Sequence, residues 1–250
     1  MTLLRTISAA IATLGFVASS DAAEVKVLAS TAIRSALQEL TPQFESVSGN
    51  KLVVTYGASL RLQQAIEKGE PFDLAILSTA VTDSLVKQGK LVVATRVDVA
   101  RSGAGVAVRT GAPKPDVSNP EAVKRALLNA KSIGYSETGA ASQFMLTMFE
   151  KLGIVSEMKA KMKLSRADQP SLMALANGEI DIAIPQISEA LETPGVDLAG
   201  PLPPQLQSYT VLPAAIGTNA AHPVDAKALL NFLATPEAIS VFRAKGLEPG

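Results

Sequence analysis

Small hydroxyl residues follow three successive predicted strands in the first third of the chain. Ser30, Ser59 and Ser78 each stand where an apolar run ends and a helical pattern begins. A helix start leaves backbone N–H groups unpaired and carries the positive end of the helix dipole, so it attracts an anion. We predict that Ser59 is the N-cap of its helix. The spacing indicates an anion site, although a serine that only caps its own helix gives the same pattern.

Two arginines stand beside these predicted helix starts. Arg34 lies in the first turn after Ser30 and Thr31, and Arg61 lies two residues after Ser59. A cation at this position opposes the helix dipole and costs roughly a few tenths of a kcal/mol, unless an anion binds next to it. An inward-pointing arginine favours an organic carboxylate, because its planar fork matches that group. Solvated arginines are the alternative.

The composition excludes several function classes. The 250 residues include no cysteine, which removes disulfides, thiol catalysis and thiolate metal sites. Basic and acidic residues number 23 each, so no net charge draws the chain to nucleic acid or to an acidic membrane surface. The sequence shows no nucleophile–base pair, metal-ligand cluster or phosphate-binding loop. We therefore predict no cofactor and no metal.

Residues 1–22 are typical of a signal peptide. Arg5 precedes an apolar run, and Ser20 and Ala22 are the small residues expected before a cleavage site. The run is short for a membrane span, and no later stretch is apolar enough to cross a bilayer. We expect a periplasmic protein whose mature chain begins near Ala23 and does not insert into the membrane.

Predicted strands and helices alternate from Glu24 onward, which is typical of an α/β fold with parallel strands. The carboxyl ends of such strands carry the ligand sites. Pro42 is expected to end or kink the first helix, which we place at about residues 32–45. In the second half, a predicted strand at 133–135, a polar turn at 136–142 and a helix repeat the order seen at Ser59.

Two stretches of the sequence indicate crossings between two lobes. An exposed-looking strand at 106–109 and the polar loop 111–115 follow Arg101, and a proline-rich stretch at 198–204 marks a return. We predict one lobe from residues 23–101 with 205–250, a second lobe from residues 102–204, and a ligand cleft between them.

Several segments of the sequence resemble the periplasmic solute-binding proteins of ABC transporters, and among them the molybdate-binding group. The resemblance rests on Ala29-Ser30-Thr31, on Tyr56-Gly57-Ala58-Ser59 with Gln63-Gln64, and on the segments 71–78, 174–181 and 230–238. It implies the type II two-lobed fold, with each lobe a mainly parallel sheet flanked by helices. It also implies that the protein captures a small anion, closes by a hinge motion and docks on an inner-membrane ABC permease. We expect a monomer.

In the molybdate-binding group, serine hydroxyls and backbone N–H groups from both lobes hold the oxyanion, together with a tyrosine. Where that group has the tyrosine, this chain has Gln186, which favours a ligand other than molybdate. The pattern and the resemblance together predict a set of ligand-binding residues, of which the last three are additional candidates: Ser30, Thr31, Ser59, Arg61, Gly139, Ala140, Ala141, Gln186, Arg34, Ser78 and Ser142.

The same resemblance leaves an enzyme open as the alternative. Aconitate isomerases, which interconvert cis- and trans-aconitate, are similar in sequence to molybdate-binding proteins. Their reaction needs a general base near an allylic carbon and cations on the carboxylates. The acid–base candidates in this chain are Tyr135, Glu137, Glu189 and the single histidine, His222. We favour the binding protein over the isomerase, because surface positions are the ordinary alternative for His222 and Glu137.

Overall fold

The computed structural model describes residues 22–135, 140–164 and 171–250, without the side chains of residues 140–143. The strands are β1 (Glu24–Ser30), β2 (Lys51–Gly57), β3 (Leu74–Ile76), β4 (Val97–Gly103), β5 (Gly105–Arg109), β6 (Ile133–Tyr135), β7 (Met162–Leu164), β8 (Ile182–Ala183), β9 (Val196–Pro201), β10 (Tyr209–Ile216) and β11 (Glu248–Pro249). The helices are α1 (Arg34–Ser48), α2 (Ser59–Glu67), α3 (Thr79–Lys87), α4 (Pro120–Asn129), α5 (Ala140–Leu152), α6 (Val155–Lys159), α7 (Ser171–Ala176), α8 (Ile187–Glu192), α9 (Pro223–Leu233) and α10 (Pro236–Ala244). Short 3₁₀ turns at Thr31–Ile33 and Val93–Thr95 precede α1 and β4.

The strands form two sheets. The first has the order β11-β4-β10-β3-β1-β2, and the second has the order β7-β6-β8-β5-β9. β1 lies parallel to β2 and β3, and β6 lies parallel to β7 and β8. β10 and β5 run antiparallel to their neighbours. The predicted α/β fold with two helix-flanked sheets is confirmed, and the sheets are mixed because the strands next to the crossings enter antiparallel.

Each sheet has its own apolar core. The first sheet packs against α1, α9 and α10, where the rings of Phe44 and Phe232 lie 5.5 Å apart. The second sheet packs against α4, α5 and α6 around the fully buried Phe149. Separate cores allow each sheet to stay intact if the two move relative to each other.

Helix α1 runs through Pro42 to Ser48, so the helix does not end near Leu40 as predicted. Its buried residues Ala36, Leu37, Leu40 and Phe44 recur at helical spacing and hold one face against the core. Pro42 is exposed, and the carbonyl it leaves without a helical partner belongs to the exposed Gln38, where water can donate to it.

Strand β5 is buried, which corrects the exposed strand expected at 106–109. Val106 and Ala107 are fully buried, because β5 lies between β8 and β9 in the middle of the second sheet. A central strand has apolar side chains on both faces, so its sequence lacks the alternation of apolar and polar residues that marks a half-exposed strand.

The chain crosses between the sheets at Ala104, which separates β4 from β5, and again along residues 202–208. The Gln207 side chain cross-links the two crossings. Its Oε1 accepts from the N–H of Ala104 at 2.7 Å, and its Nε2 donates to the carbonyls of Ala104 and Leu202, both at 3.1 Å. The two crossings are therefore held side by side.

Candidate functional site

A cavity of about 260 Å³ lies where the two sheets meet. Its walls come from the start of α3, the two crossings, α5 and the segment between β8 and α8, and the residues that line it are Ser78, Thr79, Ala80, Ala104, Phe144, Ile184, Pro185, Gln186, Ser208, Tyr209, Thr210 and Val211. Pockets for drug-sized ligands measure roughly 300–1,000 Å³, so this volume suits a small solute.

The first sheet presents three strand ends to this region. Ser30 stands opposite Gly57 in the β1–β2 register, and Ala29 stands opposite Ile76 in the β1–β3 register. Neighbouring strands lie about 4.8 Å apart, so the segments after β1, β2 and β3 share one edge of the sheet. The serines predicted at these strand ends therefore follow neighbouring strands of the sheet.

Ser59 links two of these strand ends. It is the first residue of α2, and Ala58 occupies the N-cap position, so the prediction of Ser59 as N-cap is wrong by one residue. Its Oγ accepts a hydrogen bond from the backbone N–H of Ser78 at 3.0 Å. Ser78 is the N-cap of α3 and makes no side-chain cap bond. Ser59 thus positions the α3 start, whereas Ser78 lines the cavity.

Gln186 was predicted from the sequence, and the structure places it in the cavity wall opposite the α3 start. It forms an isolated antiparallel bridge with Ala104, supported by a bond from the N–H of Gly105 to the carbonyl of Pro185 at 3.0 Å. Its Oε1 is buried and has no hydrogen-bond partner among the described residues. A half-turn of the amide puts Nε2 in the same place, so this position can donate to an anion.

Ser30 and Thr31, predicted as ligand-binding residues, are not part of the cavity lining. Ser30 is buried and accepts from the N–H of Ala32 at 3.4 Å, as the N-cap of the first 3₁₀ turn. Thr31 Oγ1 donates to Glu189 Oε1 at 3.1 Å, which joins the first sheet to α8. Thr31 therefore donates its hydroxyl proton within the protein, whereas Ser30 Oγ is used as an acceptor.

Arg34 points along the edge of the first sheet toward α8. Its guanidinium lies 5.3 Å from the centre of the Tyr56 ring, and its Nε lies 3.9 Å from Glu192 Oε1. That distance is too long for a hydrogen bond, and Nε is buried with no hydrogen-bond partner. Desolvation raises the pKa of Tyr56 to about 12, against the opposing effect of Arg34.

Among the acid–base candidates in the described part of the chain, Glu189 is the one that the structure brings near these groups. Desolvation raises the pKa of its carboxyl above the ordinary glutamate value, and the hydrogen bond from Thr31 opposes that shift. Glu192 raises the pKa further and Arg34 lowers it. Glu189 is not part of the cavity lining, although it lies three residues after Gln186, which is.

The other predicted residues lie elsewhere. Arg61 is exposed on α2, and Tyr135 ends β6 in a half-buried position. The N–H of His222 donates to Asp73 Oδ1 at 2.9 Å, and Asp73 also holds the N–H of Lys26 near the beginning of β1. His222 is therefore fixed far from the carboxyl end of β1. Glu137 and Gly139 fall outside the described residues, as do the side chains of Ala140, Ala141 and Ser142 at the start of α5.

Thr79 and residues 208–211 line the cavity but were not predicted from the sequence. Thr79 follows Ser78 directly, so the hydroxyl pair at the start of α3 was the available signal. Tyr209 and Thr210 belong to β10, and only the return of β10 beside β3 and β4 brings them to the cavity. Within the described ranges, no group of three His, Asp or Glu side chains could hold a metal ion, and no helix could span a membrane.

Comparisons with known proteins match nearly the whole chain. The model of a family described as bacterial extracellular solute-binding protein matches residues 25–248. An aconitate isomerase of Pseudomonas sp is 31% identical over 237 residues, which cover 93% of this chain and 90% of that protein. The molybdate-binding protein ModA of Escherichia coli strain K12 is 25% identical over 235 residues, which cover 92% and 90%. The structure of the periplasmic molybdate-binding protein of Azotobacter vinelandii matches with a TM-score of 0.74 at 19% identity, covering 90% of this chain and 99% of that one.

Proposed function

Because the chain belongs to the family of bacterial extracellular solute-binding proteins, we propose that it captures a small anion in the cavity between its two sheets. In this proposal the captured anion is delivered to an inner-membrane ABC permease. Residues 1–22 direct export to the periplasm, and the mature chain acts as a monomer.

The observation that carries the proposal is the chemistry of the cavity wall. Its polar groups are the hydroxyls of Ser78, Thr79, Ser208, Tyr209 and Thr210 and the amide of Gln186, and no Lys, Arg, Asp or Glu belongs to the described lining. Neutral donors hold an anion by hydrogen bonds worth roughly 1.5–3 kcal/mol each. Five or six such bonds reach about micromolar affinity or better after the cost of association.

The ligand class that we propose is a molybdate-like oxyanion or a small organic carboxylate. The relative ModA is named for molybdate and the relative isomerase for aconitate, and these two ligands represent the two classes. The amide of Gln186 in the cavity wall favours the carboxylate, because its planar donors match a planar acceptor better than a tetrahedral one.

We further propose that the cavity closes by a hinge motion of two lobes, residues 23–101 with 205–250 and residues 102–204, with Ser102 and Gly103 at the end of β4 still paired to the first sheet. The cross-link from Gln207 to Ala104 lies at the crossings and keeps the two hinge strands in register. Separate apolar cores on the two sheets support rigid-body movement.

Thermal unfolding of the mature chain tests the proposal. We expect molybdate, tungstate, sulfate, citrate or cis-aconitate at about 100 times Kd to stabilise the folded state by about 2.7 kcal/mol, which raises Tm by roughly 5–10 °C. Thr79→Val removes a cavity hydroxyl and should reduce the shift, whereas Thr55→Val, on the exposed face of β2, should leave it unchanged. If none of these anions raises Tm, the proposal of a small-anion ligand is wrong.

Isomerisation of aconitate is the second candidate function, and the 31% identical aconitate isomerase favours it. Proton NMR of cis-aconitate incubated with the protein distinguishes the two. A binding protein broadens or shifts the ligand signals without product, whereas an isomerase produces trans-aconitate. Glu189 is the candidate base, because it is a carboxyl group three residues from Gln186 in the cavity wall and burial raises its pKa.

A further inference from the structure

Helix α8 makes polar contacts with the first sheet at two levels. Near the crossings, Ser188 Oγ lies 3.0 Å from Ser102 Oγ, and both residues are 1% exposed. At the edge of the sheet, Glu189 accepts from Thr31, and Glu192 faces Arg34. The contact to Ser102 lies beside the axis on which the two halves would turn, so the contacts to Thr31 and Arg34 separate most when the cleft opens.

The same helix begins at the cavity. Gln186 in the cavity wall immediately precedes α8, and the N–H of Glu189 donates to the carbonyl of Gln186 at 3.1 Å. One turn of helix therefore connects the residue that lines the cavity to the residue that reaches across to Thr31. A shift of Gln186 against a ligand moves Glu189 with it.

The charges around Glu189 determine the strength of its contact with Thr31. Glu192 on the same helix repels its carboxylate, and Arg34 from α1 attracts it, with Tyr56 of β2 beside both. The other elements packed on α8 add neutral groups. These are the Ser102 hydroxyl from β4, Leu198 in the apolar cluster from β9, and Gly246 in the turn after α10. The Glu189 carboxylate therefore loses its hydration on burial, and no full ion pair compensates for that loss.

We propose that Thr31, Arg34, Glu189 and Glu192 form a clasp that holds the cleft closed over its ligand, and that proton uptake by Glu189 favours the closed form by removing a buried charge next to Glu192. The clasp rests on the proposed function, since it regulates capture in that same cavity. Opening the cleft returns Glu189 to water, so the closed form binds this proton more tightly than the open form, consistent with the raised pKa in the structure. Lower pH therefore favours closure, and higher pH favours opening and release.

Small-angle X-ray scattering of the ligand-free mature chain tests the clasp without any knowledge of the ligand. We expect the radius of gyration to fall as the pH is lowered from the alkaline side and Glu189 takes up its proton. Glu189→Gln keeps an acceptor for Thr31 and removes the charge, so it should be compact throughout that titration. Glu157→Gln, an exposed carboxylate on α6, should behave as wild type. The same pH response in wild type and Glu189→Gln would overturn the clasp.

Thr31→Val gives a second test of the same contact. It removes the hydroxyl that Glu189 accepts from, so the chain should stay expanded at low pH, and Thr31→Ser should restore compaction. Binding of cis-aconitate, measured by calorimetry, should weaken toward high pH in wild type and not in Glu189→Gln. If scattering shows the response but cis-aconitate does not bind, the clasp stands and the proposed carboxylate ligand fails. If Thr31→Val compacts like wild type, the clasp is wrong.

Discussion

Gln186 offers a test in which stability and binding should change in opposite directions. Its Oε1 is buried without a partner, and its neighbours Ile184 and Pro185 are buried as well. An unpaired buried acceptor costs about 1–3 kcal/mol, and replacing it by an apolar group of similar shape removes that cost. Gln186→Met keeps the unbranched length of the side chain, so we expect it to increase the free energy of unfolding by about 1–2 kcal/mol.

The binding side of the same test follows from the loss of a donor. One hydrogen bond to a charged ligand contributes about 1.5–3 kcal/mol, so Gln186→Met should weaken anion binding by roughly 10- to 150-fold. Urea unfolding measures the stability, and calorimetry with cis-aconitate or molybdate measures the affinity. The matched control is Gln205→Met at an exposed position of the second crossing, which should change either quantity little.

Two results would refute this reasoning separately. A loss of stability in Gln186→Met would mean that the amide is satisfied in the folded protein and that its buried oxygen is not a cost. An unchanged affinity for every anion that stabilises the wild type would mean that Gln186 does not touch the ligand. Most substitutions in a binding site lower both quantities or neither, so an increase in one with a decrease in the other is a distinctive outcome.

Four further predictions follow from contacts in the structure. Asp73→Asn removes one of two carboxylate oxygens that hold backbone N–H groups and should lower the free energy of unfolding by about 2–3 kcal/mol in urea. Gln207→Ala removes the cross-link between the crossings, so amide exchange at Ala104 should become faster while the circular dichroism stays unchanged. Arg61→Gln should change carboxylate affinity less than about twofold by calorimetry, because Arg61 is exposed. The raised pKa of Glu189 means that the folded chain binds its proton more tightly than the unfolded chain, so this group's contribution to stability is present at low pH and is lost as pH rises through the raised pKa. Urea unfolding near pH 5 and pH 7 should therefore show a flatter pH dependence in Glu189→Gln than in wild type.

The alternation of strands and helices was visible in the sequence because it depends on local periodicity. Apolar residues recur at the strand spacing in β1 and at the helix spacing in α1 and in the helices after β2 and β3. The structure has these elements near the predicted positions. Strands β4 and β9 were not predicted, because they flank the crossings and their partners are distant in sequence. The continuation of α1 through Pro42 was also missed, since it depends on which side of the helix faces water.

The candidate site could be predicted only in part, because some of its residues are brought together by segments that are distant in sequence. Ser78 and Gln186 stand next to strands that the pattern marks, and both line the cavity. Tyr209 and Thr210 line it because β10 returns beside β3, which no local pattern encodes. The arginines show most clearly what the sequence cannot predict, since Arg34 and Arg61 both lie in the first turn of a helix. Only the packing of α8 on the first sheet brings Arg34 near Glu192 and leaves Arg61 exposed.

The uncharged cavity wall and the nearby Glu189 carboxyl have different consequences for the two candidate functions. A binding protein needs donors that release their anion again, and hydroxyls and an amide provide attraction without a fixed counter-charge. An isomerase needs a base within hydrogen-bond reach of the carbon that loses its proton. Glu189 is bonded to Thr31 outside the described lining, so it would have to leave that partner to act as a base. Glu189→Gln therefore separates the functions, because a binding protein keeps its affinity for cis-aconitate near pH 5 when the base is removed, whereas an isomerase loses turnover at every pH.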